Sequence, residues 1–450
     1  MSSVRERLLN LLYEFVKSDL PETLQREFRS DIVFKLPHVI DILGARRSGK
    51  TYIMYNLMKY LLRRGVEKRR ILYADLEHKD LEGIASEDLD AFLNYIAHEN
   101  IWDEAYLFID EVHVACFWEH WVRTVYDQYK GKVKIVTSGS TSKLLRPEVA
   151  GILTGRHITL EIFPLSFREF LTFRNVNVDK ILGKPVITPS ESYLLESMLL
   201  EYMEFGGFPE VVLAESKEEK LQILSNYYED IIYRDIVERF KIRNIRAMRL
   251  FFRFIVSNIA KYFSYRRAKN FLASVGLKVS TSTLERWCDI LEEIYILFLA
   301  PVLTKKLTVE TRHPRKIYII DIGLRRVVLR RDIDRGYLLE NMVFLEVRRR
   351  IKRVRQEIRY WAENTKEVDI VVVDSGDPII AIQVAESVVD PETRRREVKS
   401  LMKLVSRTGI EKAFIVTLGE REKITTRSGE IEVIPYWEFA LRRVDEIFSE

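Results

Sequence analysis

The chain has 450 residues, 47% of them hydrophobic and 11% aromatic, and this composition predicts a globular protein of about three domains. Charged residues reach 31%, a density typical of thermophilic proteins, but the net charge is only +5, so the placement of the basic residues is more informative than their number. Two cysteines without metal-ligand spacing, and apolar runs too short to span a bilayer, exclude a disulfide framework, a zinc site and a membrane segment, and predict a cytoplasmic protein.

The chain begins with a predicted amphipathic helix and turn over residues 1–36, which lack the apolar core of a signal peptide. From residue 39 to about residue 171, short apolar strands alternate with helical stretches. This alternation predicts a parallel sheet with helices on both faces and a ligand site at the carboxyl ends of the strands. The predicted strands are Val39–Leu43, Ile71–Asp75, Tyr106–Ile109, Val133–Val136 and Ile158–Ile162.

The first strand leads into a complete phosphate-binding loop, GARRSGKT at residues 44–51, and a helical pattern follows it. The glycines allow the backbone to curl around an anion, and the loop N–H groups and the helix N-terminus then face one phosphate chain. We expect Lys50 to reach the β- and γ-phosphates of ATP and the Thr51 hydroxyl to ligate Mg²⁺. The alternative is a glycine-rich turn that binds nothing. The predicted nucleotide contacts are Gly44, Ala45, Arg46, Arg47, Ser48, Gly49, Lys50, Thr51 and Tyr52.

Two later strands end in polar groups that this chemistry needs. The third strand runs into Asp110 and Glu111. We predict that Asp110 holds Mg²⁺ through water and that Glu111 orients and deprotonates the attacking water, whereas a solvated strand end is the alternative. The fourth strand runs into residues 137–140, where Ser140 is the predicted sensor of the γ-phosphate. A plain β-turn would explain the same residues.

After the predicted sheet, the chain becomes helical and then strongly basic. Residues 190–240 are expected to be helical, with a break at 206–209 that marks either a hinge beside the nucleotide or a tight turn. The 46 residues between Glu238 and Glu285 contain 11 Lys and Arg but no acid, whereas a solvated helix face interleaves both signs. Positive potential concentrated in this way favours binding to the phosphate backbone of DNA.

The basic segment has the order of elements found in a winged helix. A helix at 265–272 and a turn precede a second helix at 280–295, and strands at 296–303 and 316–320 flank a basic tip. A three-helix packing module with an incidental basic face is the alternative. The predicted DNA contacts are Arg266, Arg267, Lys269, Ser280, Thr281, Thr283, Lys305, Lys306, Arg312 and Arg315.

The last segment again alternates helices and strands. Helices are predicted at 337–350 and 393–406, and strands at 358–361, 368–373, 379–384 and 413–417. The predicted fold class is therefore α/β, with a P-loop parallel sheet, a winged-helix module and a C-terminal α/β domain. We predict the domain ranges 1–236, 237–324 and 325–450.

With these residues in place, the chain resembles the uncharacterised prokaryotic AAA+ ATPases that carry a C-terminal domain of unknown function. The resemblance covers nearly the whole length, and the phrases from residue 163 onward are the more specific ones. Its motifs are GARRSGKT at 44–51, LFIDE at 107–111, SGS at 138–140, TGR at 154–156, FPLSF at 163–167, GGFPE at 206–210, YIIDIGL at 318–324 and EVD at 367–369.

The resemblance adds expectations that the residues alone do not supply. It implies that Arg156 contacts the γ-phosphate as an arginine finger or sensor, either within one chain or across the subunits of a homo-oligomer. It also implies a winged helix after the AAA+ core and a C-terminal domain similar to restriction endonucleases. By their own context, the residues of the TGR motif show only an arginine after a glycine.

In the nuclease-like domain, the resemblance assigns metal-binding positions to Glu340, Asp369 and Gln383. The third motif departs from the nuclease pattern, because Gln383 is not a carboxylate and Ala385 stands where a lysine is expected. We therefore expect a degenerate nuclease fold that is retained for binding.

The sequence as a whole predicts a Mg²⁺-dependent ATPase that couples its nucleotide state to the binding or remodelling of DNA. Two alternatives stay open at this point: an ATP-dependent switch that binds a protein partner, and an ATP-gated nuclease.

Overall fold

A computed structural model describes residues 3–28, 33–141, 151–184, 187–329, 334–351, 355–426 and 429–442. The chain divides into two compact units, the first formed by residues 1–163 with 293–295 and the second by residues 164–292 with 296–450. None of the helices in the described ranges has the length and apolar character needed to cross a membrane. The division into three domains stays a prediction.

The first unit contains a five-stranded sheet and the helices that cover it. Its strands are β1 Val39–Leu43, β2 Ile71–Asp75, β3 Ala105–Asp110, β4 Val133–Gly139 and β5 His157–Glu161. Its longer helices are α1 Val4–Lys17, α2 Lys50–Arg63, α3 Asp90–Glu99 and α4 Trp118–Tyr129. Short 3₁₀ turns lie at Lys68–Arg70, Lys79–Leu81, Ser86–Leu89 and Val112–Val114.

The sheet has the order β2-β3-β4-β1-β5, and every neighbouring pair is parallel, which confirms the predicted α/β fold class. All five residues of β1 are buried, as expected for a central strand with helices on both faces. The loop at residues 44–51 follows β1 directly, and α2 begins at its lysine. The P-loop therefore lies at the carboxyl edge, where β3 and β4 also end.

Strand β4 is longer than the sequence predicts. It continues through Thr137 and Ser138 to Gly139, so these residues do not form a β-turn. The reason is its position between β3 and β1, where Thr137 pairs with Asp41 and donates its hydroxyl to the Asp41 carboxylate at 2.6 Å. The extension brings the following residue, Ser140, to the edge of the sheet.

The second unit is larger and contains two further sheets. Its helices are α5 Phe167–Phe173, α6 Val178–Leu182, α7 Pro189–Phe205, α8 Pro209–Leu213, α9 Lys217–Asp230 (continued by a π-helix over Ile231–Glu238), α10 Ile245–Ser257, α11 Tyr265–Ser274, α12 Thr281–Glu293, α13 Leu307–Arg312, α14 Arg325–Val328, α15 Arg335–Arg350, α16 Pro391–Thr408 and α17 Tyr436–Leu441. Its strands are β6 Tyr262–Phe263, β7 Leu297–Ala300, β8 Arg315–Ile319, β9 Gln356–Glu363, β10 Lys366–Asp374, β11 Asp377–Val384, β12 Lys412–Thr417, β13 Glu422–Thr426 and β14 Gly429–Pro435. A 3₁₀ turn lies at Ile322–Leu324.

The basic segment forms helices α10, α11 and α12 and an antiparallel sheet of the order β6-β8-β7, which we call the small sheet. The two predicted helices and the two predicted strands are present. The tip between β7 and β8 contains the short helix α13, where the sequence predicts only a basic connection. The order helix, strand, helix, helix, strand, strand agrees with a winged helix, an assignment that stays a prediction.

The C-terminal sheet is mixed and has the order β13-β14-β12-β11-β10-β9. The pairs β11–β12 and β12–β14 are parallel, and the others are antiparallel. Helix α16 covers one face through Leu401 and Leu404, which pack with Val371 and Ile415. Strands β13 and β14 and helix α17 were not predicted.

The break at residues 206–209 is a fixed turn. The Asp321 carboxylate accepts hydrogen bonds from the N–H groups of Gly207 at 2.6 Å and Gly323 at 2.8 Å. A Cβ atom on Gly206, whose φ is +78°, would lie 1.8 Å from the same carboxylate. These hydrogen bonds favour the tight-turn alternative. The GGFP and DIGL motifs are thus in direct contact within the second unit.

Candidate nucleotide site

The phosphate loop takes its shape from its glycines. A Cβ atom at Gly44 would lie 2.1 Å from the carbonyl oxygen of Ile162, so only glycine fits where β1 turns into the loop. Gly49 has a φ of +94°, in the left-handed region, and caps helix α2. Lys50 and Thr51 therefore stand at the first turn of a helix whose free N–H groups attract anions.

The predicted magnesium ligands are in contact with each other. The Thr51 hydroxyl donates to Oδ2 of Asp110 at 2.6 Å. Oδ1 of Asp110 accepts from the Ser138 hydroxyl, and Oδ2 also accepts from the Tyr73 hydroxyl at 3.2 Å. Burial, together with the charge of Glu111, raises the pKa of Asp110. A hydroxyl beside a buried carboxylate is a donor set that suits Mg²⁺, which prefers oxygen ligands and keeps several waters.

Glu111 lies between the loop lysine and the end of β4. Its Oε1 lies 3.5 Å from Nζ of Lys50, and its Oε2 accepts from the N–H of Ser140 at 3.1 Å. Nδ1 of His113 is 3.3 Å from the same Oε2. Burial would raise the pKa of Glu111, but Lys50 and then His113 outweigh it, so the pKa is lowered. The carboxylate is thus held ionised and oriented, as a proton acceptor for water requires.

Two buried hydroxyls support the fit of a triphosphate to this edge. The Oγ atoms of Ser48, in the loop, and Ser140, after β4, have no hydrogen-bond partner within the part of the chain that the structure describes. Buried hydroxyls without partners are uncommon, because each lost hydrogen bond costs free energy. Phosphate oxygens would satisfy both. The structure thus brings together the loop, Asp110, Glu111 and Ser140, and their roles stay predictions.

Sequence reasoning missed two charged side chains that hold the phosphate loop, Arg26 and Glu77. Arg26 is buried and donates to the carbonyl oxygens of Ser48 and Phe163, each at 2.9 Å. Arg46 forms a two-pronged ion pair with Glu77, with distances of 2.7 and 3.1 Å. Glu77 follows β2 at the carboxyl edge, so its position was a usable signal, whereas no motif surrounds Arg26.

Arg156 lies at the amino ends of the strands, whereas the phosphate loop lies at their carboxyl ends. It precedes β5, and its carbonyl oxygen accepts from the N–H of Val39 at the amino end of β1. Its guanidinium donates to Asp127 of α4 at 2.7 Å. The length of β1, about 3.3 Å per residue, separates it from the loop. The structure therefore contradicts a contact with the γ-phosphate within one chain, and a contact from a neighbouring copy stays a prediction.

The predicted DNA contacts are mostly on the surface. Arg266, Arg267 and Lys269 are exposed on α11, and the basic residues around α13 are exposed as well. The Ser280 hydroxyl caps α12 by accepting from the N–H of Thr283 at 3.1 Å. The exposed residues of the tip are Lys305, Lys306, Arg312 and Arg315.

The later turns of α12 differ in charge from its beginning. Thr281 is exposed at the first turn, but Glu285 and Asp289 are exposed on the turns that follow. These two acids outnumber the exposed Arg286 of the same turns, so the basic surface is formed by α11 and the tip.

Two of the three nuclease-like candidates, Glu340 and Asp369, meet around a lysine that sequence reasoning missed. Nζ of Lys316, on β8, lies 2.9 Å from Oε1 of Glu340 and 2.8 Å from Oδ1 of Asp369. Burial alone would lower the pKa of Lys316, but Asp369 and Glu340 outweigh it and keep the pKa above its usual value. Burial, and then Asp369, raises the pKa of Glu340 above its ordinary value. Gln383 donates through Nε2 to Glu397 at 2.7 Å.

Comparison with known proteins agrees with this architecture. Residues 37–171 match the AAA domain family, and residues 196–335 and 335–439 match two domains of unknown function, DUF8612 and DUF4143. The uncharacterized protein MJ1544 of Methanocaldococcus jannaschii is 31% identical over 441 residues, which cover 96% of this chain and 95% of that protein. An uncharacterized protein of Haemophilus influenzae is 28% identical over 79% of this chain and 84% of its own length.

Among solved structures, the Walker-type ATPase PABY2304 of Pyrococcus abyssi is 13% identical over 72% of this chain and 95% of that one, with a TM-score of 0.41, too low to support an argument. The AAA domain match is the finding that indicates a nucleotide-hydrolysing ATPase. The identity to the M. jannaschii protein extends over nearly both chains. The chain therefore belongs to the family of that protein, an AAA ATPase family with C-terminal domains of unknown function.

Proposed function

We propose that this chain hydrolyses ATP in a Mg²⁺-dependent reaction and uses its nucleotide state to control binding to DNA. The observation that carries the first part is the contact between Thr51 and Asp110, with Glu111 held between Lys50 and Ser140. Bound Mg²⁺ would neutralise charge on the phosphates. The side chains bind and orient: Lys50 holds the phosphate chain, and Glu111 takes a proton from the attacking water.

The proposal includes a homo-oligomer and a cytoplasmic location. Arg156 lies at the amino edge of its own sheet, so its family role requires a second copy whose site it completes. Particle mass with and without a non-hydrolysable ATP analogue tests this, and we expect assembly with the analogue. An Arg156→Ala variant that assembles and hydrolyses ATP like wild type would remove the arginine from the account. The two free cysteines, Cys116 and Cys288, agree with a reducing compartment.

The DNA part of the proposal depends on the exposed basic residues of α11 and the tip. Three cations lie within four consecutive positions of α11, and four more surround α13. Arg249 is different, because it forms a two-pronged ion pair with Glu229 and is committed to packing. Lys305 of the tip lies 3.7 Å from Asp377, but both side chains are largely exposed, and exposed cations favour phosphate contacts that release counterions.

A protein partner is the second candidate, and one observation favours it. Glu285 and Asp289 are exposed on α12, the helix that a winged helix would place against DNA bases. Acidic side chains there suit a basic protein surface better than a duplex.

A salt titration separates the two candidates. We expect wild-type affinity for duplex DNA to fall steeply with salt. The triple variant Arg266→Gln, Arg267→Gln, Lys269→Gln should bind more weakly and with a shallower slope, smaller by about 0.9 for each phosphate that it no longer neutralises. The control is Lys423→Gln, which removes an exposed cation of β13. The titration is repeated with ATP and with its non-hydrolysable analogue. Weak binding that salt does not change would support the protein partner.

A further inference from the structure

Three carboxylates surround the Lys316 ammonium in the second unit. Besides Glu340 and Asp369, Oε1 of Glu367 lies 2.5 Å from Nζ. The Lys316 side chain is only 3% exposed, so protein atoms rather than water surround this charge. The Tyr318 hydroxyl donates to Glu340 at 2.7 Å, and the Tyr262 hydroxyl donates to Glu367 at 2.6 Å. The cluster thus has one cation at its centre. Tyr318 donates to the same Glu340 oxygen that contacts the ammonium, and Tyr262 donates to the outer oxygen of Glu367.

The donor set does not fit the divalent metal that a restriction-endonuclease-like domain implies. The third motif offers only the neutral amide oxygen Oε1 of Gln383, which is buried without a hydrogen-bond partner among the described residues, and Ala385, in the apolar cluster under α16, offers no ligand. No group of three His, Cys, Asp or Glu side chains with the geometry of a metal site occurs in the described ranges. The second oxygen of Asp369 already accepts from the N–H of Val384 at 2.9 Å.

Electrostatics decides whether these carboxylates hold the Lys316 ammonium or a divalent metal ion. An ammonium within 3 Å of Glu340 and Asp369 occupies the space between these oxygens, and a divalent ion at the same oxygens would stand close to the lysine's charge. Since the lysine is buried, water screens that repulsion little. Lys316 and a metal ion therefore compete for the same oxygens of Glu340 and Asp369.

We propose that the Lys316 ammonium is the built-in cation of this cluster, in the place that a nuclease site gives to Mg²⁺, so that the C-terminal domain does not cleave DNA. The lysine belongs to the small sheet, while its partners belong to α15 and β10. The segment that follows β7 also contacts β9, because the N–H of Leu303 donates to the carbonyl oxygen of Tyr360 at 2.6 Å. The ion pairs of the cluster thus connect the small sheet to α15 and the C-terminal sheet without a metal ion. This inference does not depend on ATP hydrolysis.

The test uses the full chain with Thr51→Ala and Asp110→Asn, which silence the P-loop magnesium ligands. Mn²⁺ is titrated by calorimetry and by its effect on the melting temperature, with and without Lys316→Met. We expect no Mn²⁺ binding with Lys316 present, and Mn²⁺-dependent stabilisation in Lys316→Met, because a bound ligand stabilises the folded state. Lys423→Met, on an exposed lysine of β13, is the matched control and should gain nothing.

Plasmid and single-stranded DNA are incubated in parallel with Mg²⁺ or Mn²⁺, and wild type should leave both intact. Two results would overturn the proposal: Mn²⁺ binding with Lys316 present, or DNA cleavage by wild type. Either result counts if Asp369→Asn abolishes that binding or cleavage and Asp377→Asn does not. Asp377 is an exposed aspartate of β11. A folded Lys316→Met variant without affinity for Mn²⁺ would also overturn it. If that variant fails to fold, the experiments on wild type and Asp369→Asn decide the question.

Discussion

Nζ of Lys50 lies 3.5 Å from Oε1 of Glu111, and the same ammonium donates to the carbonyl oxygen of Ala45 at 3.2 Å. One cation thus links the phosphate loop to the residue that we assign as proton acceptor. Both side chains belong to the first unit, and they stand at the carboxyl ends of β1 and β3. This geometry predicts that a change at Lys50 weakens nucleotide binding, whereas a change at Glu111 leaves binding intact and slows hydrolysis.

Lys50→Met should remove tight ATP binding. A hydrogen bond to a charged group contributes about 1.5–3 kcal/mol, so we expect affinity to fall by about 10- to 150-fold. Calorimetry with Mg²⁺ and ATP measures the loss. Lys130→Met, which removes an exposed lysine after α4, should bind ATP like wild type. Equal affinity in the two variants would show that Lys50 is not a phosphate ligand.

Arg26→Met should weaken ATP binding although Arg26 needs no contact with the nucleotide. Arg26 donates to the carbonyl oxygens of Ser48 and Phe163, so its loss leaves two buried oxygens without these partners. We expect a loss of about 1–3 kcal/mol in the free energy of unfolding and a higher Kd for ATP. Denaturant titration and calorimetry measure the two effects. The control, Arg63→Met, removes an exposed arginine at the end of α2, and a similar loss there would refute the assignment.

Gly206→Ala should destabilise the second unit far more than Gly276→Ala. Both glycines have a positive φ, +78° and +79°, so a side chain at either costs about 1–3 kcal/mol. Only at Gly206 does a Cβ atom collide with Asp321, and nothing lies within 4 Å of one at Gly276. We expect a further loss of about 1–3 kcal/mol at Gly206, as in overpacked cores. Equal losses in chemical denaturation would contradict the fixed turn.

His157 should make the stability of the first unit depend on pH. A hydrogen bond from His157 to the buried Asp41, 2.6 Å long, raises the pKa of His157 despite the opposing effect of burial. A raised pKa in the folded state means that the stabilisation is complete below about pH 6.5 and is lost as the pH rises through the folded value.

The comparison variant is His157→Gln, which can donate to Asp41 without a titrating charge. We expect wild type to be the more stable at pH 6, and its advantage in the free energy of unfolding to shrink towards pH 9. An advantage that does not change over this range would show that His157 is not protonated in the folded protein.

Local features explain why the first sheet and its loop could be predicted. An apolar run, two glycines and a following helical pattern are adjacent in the chain, and Asp110 and Glu111 directly end an apolar strand. Lys316 could not be found in this way, because its partners Glu340 and Asp369 are 24 and 53 residues away. Only the folded chain shows that β8 reaches them.

Arg156 shows how the fold narrows an expectation that rests on a motif. The resemblance implied a phosphate contact within one chain or across subunits, but the direction of β5 in the sheet places its amino end, and Arg156 with it, far from the loop of the same chain. Strand direction follows from the pairing with β1, which no single motif encodes. Strand β13, EKITT, escaped prediction because it contains one apolar residue, whereas the alternation in β14, GEIEVIP, was a usable signal for a strand.

The central claim is that Glu111 activates water at a nucleotide held by the P-loop. It is tested most directly by measuring Mg²⁺-dependent ATP binding and single-turnover hydrolysis in Glu111→Gln, with Glu82→Gln, on an exposed glutamate, as the control. We predict that Glu111→Gln binds ATP at least as tightly as wild type and hydrolyses it about 10²- to 10⁴-fold more slowly. Unchanged hydrolysis in Glu111→Gln, or no uptake of ATP by wild type, would contradict the account.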